Sequence, residues 1–434
     1  MIIIMIIDEF NVYPVDVSSI HTFSIASKIR QLQDFKFVYN FARERAIRLN
    51  PISEKNFPLF DIMIEKSIDT KSGQVFPEVY IDEGVKLRLY VHYGVGGATF
   101  VVDPLSLMYG RDRRKMPETY INIAPRDISF WNKCVSKFIT HLLRLSLYES
   151  FMEQWSFNRL DFSITIKLPK DFDVVQFLDY LKRIPKAYNF ENEEFVSIGQ
   201  SEHMVAFSNK SNTQTFVIYD KAYEQAVRHN NPIFNDGNYL RMEYSVKWPK
   251  LKQLIRSYHQ KGFIPPQTNS IASQLFFLSN ISPIVFIDII DRIFPSGDIV
   301  TRKRFLTEVR NLSCRDTTKS KIVDLVERFS RSKTSKDSLE IVNTYKSVYG
   351  KSKYRYLMSM LDRSDIAPIY IRRSHEDVTR CIPSVMHLYK CSLMAVNSEM
   401  IHLEKLYEDG IQYIESLEYP SADTSDDECV DKST

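Results

Sequence analysis

Three segments in the middle of the chain alternate apolar and polar side chains with the period of two that is typical of β-strands. They are NRLDFSITI (Asn158–Ile166), TQTFVIYDK (Thr213–Lys221) and YLRMEYSVK (Tyr239–Lys247). In each segment the apolar row predicts a buried face, and the polar row predicts the opposite face. If the three strands are neighbours, their polar rows share one surface of a sheet.

Other patterns place further elements around these strands. A hairpin is predicted from Val85–Gly94 and Ala98–Pro104, with GVGG as its turn, and HMVAFSN (His203–Asn209) is the partner arm of the second strand above. Apolar residues at helical spacing predict helices over Ile128–Met152 and Val174–Ile184. We therefore expect an α+β fold built on an antiparallel sheet.

The pattern turns helical after about residue 250. Asn343–Arg363 predicts a helix, a turn at Gly350 and a second helix that Ser352 could cap. The second helix begins with three basic side chains, Lys351, Lys353 and Arg355. Since a helix N-terminus itself favours anions, we expect these three residues to contact DNA phosphates.

Length and charge suggest how the chain is divided. The 434 residues are enough for two or three domains. We predict an α+β domain over residues 1–250, a helical basic domain over 251–400, and an acidic helix end with a disordered tail over 401–434. Residues 302–373 contain 18 Lys and Arg against 8 Asp and Glu, whereas residues 399–434 contain 11 acids against two lysines. The basic block is suited to a nucleic-acid backbone, and the alternative is a solvated helical surface.

No segment indicates a membrane protein or a secreted one. The apolar start, MIIIMIIDEF, lacks a basic region before it and a cleavage site after it, which favours a buried strand. The apolar run near Ile284–Phe294 is interrupted by Asp288 and Asp291. The five cysteines are scattered and form no CxxC pair, so we expect a cytoplasmic protein without disulfides or a zinc ribbon.

The shared polar face collects residue types that suit phosphoryl transfer. Its predicted members are Arg159, Asp161, Tyr219, Lys221, Arg241 and Glu243. Carboxylates such as Asp161 and Glu243 can hold Mg²⁺ or Mn²⁺, and the basic side chains can stabilise charge on a phosphate. A tyrosine activated by a nearby cation can attack that phosphate. Tyr223, four residues after Tyr219, is a candidate second nucleophile. Both hydroxyls would share a face if this piece is helical, and they would lie on one side, but farther apart, if it is strand.

At these residues the chain resembles the replication initiators of filamentous phages, the gene II (CRI-type) proteins. NRLDFSITIKLP is similar to the family's "SRIDAT" strand, FVIYDKAYE to its tyrosine–lysine–glutamate segment, and LRMEYSVK to its "RFE" strand. The region Lys353–Leu361 is similar to its "FWRYV" segment, and the order of all four is kept over roughly residues 75–375. The chain departs from the pattern at a "GHN" turn, where Gly110 is followed by Arg111 and Asp112. Asp112 or Asp103 would then join Asp161 and Glu243 at the metal, or the metal site would be weaker than in the family.

The resemblance implies a DNA-nicking and rejoining enzyme that starts rolling-circle replication of a phage or plasmid genome. Its antiparallel-sheet nuclease domain would be followed by a mainly helical domain. Tyr219 would be the nucleophile and would form a 5′-phosphotyrosine, with Lys221, Asp161 and Glu243 as its neighbours. Expected partners are double-stranded and single-stranded DNA at a replication origin, with host helicase and polymerase, and no membrane. The alternatives are a relaxase or transposase with the same chemistry, a non-catalytic DNA-binding regulator with a degenerate nuclease fold, and a structural protein.

Overall fold

The computed structural model describes residues 13–14, 18–69, 73–92, 95–110, 127–184, 195–209, 211–229, 238–265, 270–333, 335–372 and 381–395. Its strands are β1 (Tyr13–Pro14), β2 (Ser19–Ile29), β3 (Gln74–Val75), β4 (Val79–Asp82), β5 (Val85–His92), β6 (Val95–Val102), β7 (Ser156–Leu168), β8 (Phe195–Ser201), β9 (Met204–Asn209), β10 (Gln214–Asp220), β11 (Asn238–Lys247), β12 (Ile299–Val300) and β13 (Cys381–Ile382). Its α-helices are α1 (Leu32–Leu49), α2 (Phe60–Asp69), α3 (Pro104–Tyr109), α4 (Ile128–Arg144), α5 (Tyr148–Gln154), α6 (Val174–Arg183), α7 (Lys221–His229), α8 (Lys250–Gln260), α9 (Ile271–Asn280), α10 (Ser282–Ile293), α11 (Arg302–Arg310), α12 (Asp316–Arg331), α13 (Ser335–Tyr349), α14 (Lys351–Asp362) and α15 (Val385–Ala395).

The fold is a mixed α+β structure, and its first eleven strands form one antiparallel sheet. The strand order is β3-β5-β6-β2-β7-β11-β10-β9-β8, with β4 also paired to β5 and β1 to β7. The sheet has two halves, β2–β6 and β7–β11, whose strands are connected in a similar order. In each half a long strand is followed by helical structure and then by antiparallel strands. The last of these strands pairs with the first strand of its half: β6 with β2, and β11 with β7. The antiparallel β2–β7 ladder joins the halves.

Helices cover the apolar face of this sheet. Phe23 of β2 makes edge contacts with Trp131 and Phe138 of α4, with ring centroids 6.4 and 6.5 Å apart. The indole nitrogen of Trp131 donates to Ser279 of α9 at 3.2 Å, so the buried N–H is satisfied. These contacts connect the sheet to a helix from the second half of the chain.

The helix-rich half shares one hydrophobic core with the sheet. A single cluster of buried side chains runs from Ile20 to Tyr389. Ser338 of α13 donates to the backbone oxygen of Arg183 at 2.7 Å, and the backbone N–H of Arg372 donates to the Tyr180 hydroxyl at 2.9 Å. The predicted change at residue 250 coincides with the start of α8. Whether residues 1–250 and 251–400 are separable domains stays a prediction. The predicted tail over residues 401–434 and the predicted strand MIIIMIIDEF both lie outside the described residues.

Several predicted boundaries need correction. The helix expected over Ile128–Met152 is two helices, because the chain turns at Ser146, whose φ is +53°. Gly96 and Gly97 are inside β6 and do not form the predicted hairpin turn. A side chain on Gly96 would collide with the Phe35 ring, and one on Gly97 with the Tyr90 ring, so close packing of aromatic rings accounts for both glycines.

Within the described part of the chain, no single helix is long and apolar enough to cross a membrane. The consecutive helices α9 and α10 together have sufficient length and apolarity, but the chain bends by 55° between them. Most of their side chains are buried against the rest of the protein.

Candidate functional site

The three strands with polar rows are neighbours in the sheet, as predicted, and β11 lies between β7 and β10. Tyr219 lies opposite Arg241, which in turn lies opposite Thr165. Two residues further along β11, Glu243 lies opposite Ser163, and two residues beyond that Ser245 lies opposite Asp161. Directly opposed residues point to the same face of a sheet, so these side chains form one polar surface.

Tyr219, Glu243 and Arg241 form the centre of this surface. The Tyr219 hydroxyl donates to Oε1 of Glu243 at 2.8 Å. Nε of Arg241 donates to the same oxygen, also at 2.8 Å. Tyr219 is half-buried, and its hydroxyl is bound to a carboxylate.

Arg241 lies beneath this pair and is fully buried, with 0% of its surface exposed. Its two terminal nitrogens donate to Thr165 at 3.2 Å and to Ser163 at 2.9 Å. The sequence predicted that Arg241 stabilises a phosphate directly. Its burial instead assigns Arg241 the role of orienting Glu243, since a guanidinium beneath the surface does not reach a ligand above it.

Asp161 and Arg159 form a second cluster further along the same face. Nε of Arg159 donates to Oδ1 of Asp161 at 2.7 Å and to Ser245 at 3.0 Å, and the Ser245 hydroxyl donates to Asp161 at 2.5 Å. The Asp161 carboxylate is 7% exposed, whereas 46% of the Arg159 side chain is exposed. Arg159 is therefore the arginine of this face that can contact a phosphate group.

Lys221 approaches the phenol from the first turn of α7 and not from a strand, because β10 ends at Asp220. Its ammonium group lies 5.7 Å from the centre of the Tyr219 ring and donates to Glu224 at 2.8 Å. The strand alternation used in the sequence prediction does not apply at Lys221. The helix nevertheless places Lys221 next to Tyr219, as the sequence predicted.

Burial controls the ionisation of the central groups. Burial raises the pKa of the Tyr219 phenol, and Glu243 adds to this effect, while Arg241 opposes it. Burial is the largest influence on Glu243 and raises its pKa, but the charges of Arg241, His21 and Lys221 and the Tyr219 hydrogen bond together outweigh it and lower the pKa to about 2. Burial and Arg241 together lower the pKa of Lys221 to about 8. The resting site thus contains a protonated phenol, a carboxylate and an amine that is partly neutral near pH 8.

His21 is a member of this site that the sequence patterns did not identify. It lies on β2 at a register shift between Ile20 and Thr22, opposite β7. Its Nδ1 is buried and has no hydrogen-bond partner among the residues that the structure describes, and burial followed by the Arg241 charge lowers its pKa. Glu243 and Asp161 are among the charges that act on it. The register shift at His21 interrupts the alternation of side chains along β2, so the sequence pattern did not predict that His21 lies on this face.

The predicted metal site is incomplete in the described part of the chain. There, no group of three or more His, Cys, Asp or Glu side chains could hold a metal ion. Asp161 and Glu243 share the polar face, but each is hydrogen-bonded to an arginine. The third predicted ligand, Asp112, lies outside the described residues, as does Arg111.

Tyr223 does not share a helical face with Tyr219, because a strand-to-helix junction separates them. Its ring is 44% exposed and lies parallel to the His203 ring, with centroids 3.5 Å apart. His203 Nδ1 is 3.3 Å from Asp220. Tyr219 lies in a strand and Tyr223 in a helix, so neither an all-helical nor an all-strand segment holds both, and the role of Tyr223 as a second nucleophile stays a prediction.

The predicted DNA-contacting residues lie at the start of α14. Lys351 and Arg355 are exposed, and Lys353 lies with its ammonium group 4.8 Å from the centre of the Tyr356 ring. The helix begins after Gly350, whose φ is +83°. Gly350, and not Ser352, is the N-cap residue, because Ser352 already lies within the helix.

Comparison with known proteins gives no matching family model and no matching curated protein. The resemblance to the filamentous-phage initiators therefore rests on the residues quoted above. The functional assignment depends on the geometry of the Tyr219 face.

Proposed function

We propose that this chain is a DNA-nicking and rejoining replication initiator that acts through Tyr219. The observation that carries the proposal is the hydrogen bond from the Tyr219 hydroxyl to Glu243, on a face that also holds Lys221 and Arg159. A phenol positioned by a carboxylate and flanked by basic side chains is suited to attack a phosphodiester.

In the proposed reaction, the Tyr219 oxygen attacks phosphorus of one DNA strand. The new P–O bond is a 5′-phosphotyrosine. The bond that breaks joins phosphorus to the 3′ oxygen, which takes up a proton from water and leaves as a 3′-hydroxyl that a host polymerase extends. Glu243 fixes the direction of the phenol, and Arg159, which lies further along the same face, contacts a phosphate of the bound strand away from the bond that breaks. Lys221, whose pKa is near 8, accepts the phenolic proton. The phosphotyrosine retains the energy of the phosphodiester bond, so attack by a 3′-hydroxyl rejoins the strand without ATP.

The remaining parts of the proposal follow from the same chemistry. Mg²⁺ or Mn²⁺ would supply charge at the scissile phosphate if Asp161 and Glu243 hold it together with DNA oxygens. The basic helices around α14 would bind duplex DNA at an origin, and a host helicase would separate the strands. We place this activity in the cytoplasm of the host cell.

Trapping the covalent intermediate tests the proposal. A pool of single-stranded oligonucleotides with random sequence and a labelled 3′ end is incubated with the protein and Mg²⁺ or Mn²⁺, and adducts are resolved in denaturant. We expect labelled protein for the wild type and none for Tyr219→Phe. Tyr345→Phe is the matched control, because the Tyr345 hydroxyl likewise donates to a carboxylate, Asp324, at 2.7 Å. Adducts that survive Tyr219→Phe would refute the assignment.

A second candidate is a DNA-binding regulator without nuclease activity. The raised pKa of Tyr219 favours this candidate, because a phenol that keeps its proton is a poor nucleophile. It predicts that no oligonucleotide in the pool becomes attached, while binding to duplex DNA is retained.

A further inference from the structure

The polar row of β11 leads away from Tyr219 to one end of the sheet. Arg241, Glu243, Ser245 and Lys247 follow one another at intervals of two residues, and Lys247 lies opposite Arg159. A strand rises about 3.4 Å per residue, so Lys247 is about 20 Å from the level of Tyr219. A polymer bound along this row would reach the end of the sheet at Lys247.

An exposed tryptophan stands at this end. Trp248 follows Lys247 and is 45% exposed, whereas Trp131 is fully buried. Its backbone N–H donates to the Asn158 oxygen at 2.8 Å, which fixes it beside the start of β7. The Lys252 ammonium group lies 5.2 Å from the centre of the indole ring. The ring is therefore held in place while part of its surface is open to a ligand.

The surroundings of Trp248 are basic. Arg159 and Lys247 lie on the sheet, and α8 carries Lys250, Lys252 and Arg256 but no Asp or Glu. Lys252 and Arg256 are exposed, as is nearly half of the Arg159 side chain. Positive side chains around an aromatic ring match a polymer that carries both phosphates and flat apolar groups.

We propose that this end of the sheet, formed by Arg159, Lys247, Trp248 and Lys252, binds single-stranded DNA, with one unpaired base stacked on Trp248. The inference deepens the proposed function, because the strand would continue along β11 towards Tyr219. Single-stranded DNA is the ligand and duplex is not, since the bases of a duplex are already stacked on one another. Lys252 and Arg159 contact the phosphates on either side of the stacked base.

Binding measurements test this site without any nicking. The affinity of fluorescein-labelled oligothymidine, and of a duplex of equal length, is measured by anisotropy. For Trp248→Ala we expect a loss of about 5- to 100-fold for the single strand and no change for the duplex, because one stacked base is lost. The salt dependence should stay the same for Trp248→Ala, and its slope should fall by about 0.7 for Lys252→Ala.

Tyr80→Ala is the matched control. Tyr80 is 46% exposed and has the Lys86 ammonium group 4.9 Å from its ring, but it lies on β4 in the other half of the sheet. We expect its single-strand affinity to equal that of the wild type. An equal loss for Tyr80→Ala and Trp248→Ala would overturn the site, and so would an unchanged affinity for Trp248→Ala.

Tryptophan fluorescence provides a direct signal of stacking. Oligothymidine should quench the emission of the wild type, and the quenching should disappear in Trp248→Phe, which retains an aromatic ring. Quenching that persists in Trp248→Phe would refute the stacking. Tyr219→Phe should bind and quench as the wild type does, so failure of the nicking chemistry and failure of this site give different results.

Discussion

The hydroxyl of Tyr219 and the side chain of Glu243 are joined by a hydrogen bond of 2.8 Å across two neighbouring strands. Glu243 is the acceptor, so the phenol keeps its proton until another group removes it. The same carboxylate oxygen is bound by Arg241 from below. This relationship connects the stability of the sheet to the reactivity of its surface.

Replacing Arg241 should destabilise the protein strongly. Arg241→Met leaves the Glu243 carboxylate, Ser163 and Thr165 without their buried donor. Removal of one partner from a buried pair costs about 3–5 kcal/mol, and we expect the free energy of unfolding in urea to fall by that amount. Arg328→Met is the control and should cost about 1 kcal/mol or less, because both partners of its ion pair with Asp324 are about half exposed. Equal losses for the two variants would contradict the structural role of Arg241.

The rate of adduct formation should rise with pH. Burial lowers the pKa of Lys221 to about 8, so the fraction of neutral amine increases as pH rises through 8. We expect the rate, measured by trapping on labelled oligonucleotide, to increase between pH 7 and pH 9 and then to level off. Lys221→Arg stays charged throughout this range and should be slow, with no step near pH 8. A step of the same size in Lys221→Arg would show that another group accepts the proton.

Manganese binding should depend on DNA. In the proposed site Asp161 and Glu243 would provide two ligands, and phosphate oxygens of a bound strand would provide others. We expect Mn²⁺, followed by electron paramagnetic resonance, to bind weakly to the protein alone and at least 10-fold more tightly after oligothymidine is added. Asp161→Asn should remove most of this gain, whereas Asp316→Asn, on an exposed helix end, should not. An equal affinity with and without oligonucleotide would contradict a shared site.

The start of α14 should contribute to duplex binding through charge alone. Replacing Lys351, Lys353 and Arg355 by alanine should reduce the slope of log K against log salt by about 2.7, because each phosphate contact contributes about 0.9. A triple control variant replaces Lys36, Arg48 and Lys86, which lie in the first half of the sheet and its helices. The control should retain the wild-type slope. A parallel decrease in both variants would mean that net charge and not α14 determines the binding.

The sequence predicted the site best where apolar and polar side chains alternate regularly along a strand. The polar rows of β7 and β11 place Asp161, Arg241 and Glu243 on one face, and the register confirms this. Alternation shows the face of a side chain but not its depth. Arg241 therefore seemed available to a phosphate, although neighbouring groups bury it completely.

Residues outside regular strands were harder to predict. Lys221 lies just beyond the end of β10, and His21 lies at a bulge, so the period of two fails at both. The break in the helix after Arg144 depends on a left-handed backbone at Ser146, a conformation that serine rarely adopts. Such features follow from tertiary packing, which local patterns do not encode.

The β2–β7 ladder has a practical consequence for dissecting this chain. A fragment that begins at residue 150 would keep Tyr219, Glu243, Arg241 and Asp161, yet it would lose the strand that covers one side of β7. The freed edge would offer unpaired backbone groups to other copies of the fragment, and we expect it to aggregate. Co-expression of the missing first segment would restore the β2–β7 ladder, so the two fragments should fold together as a complementing pair.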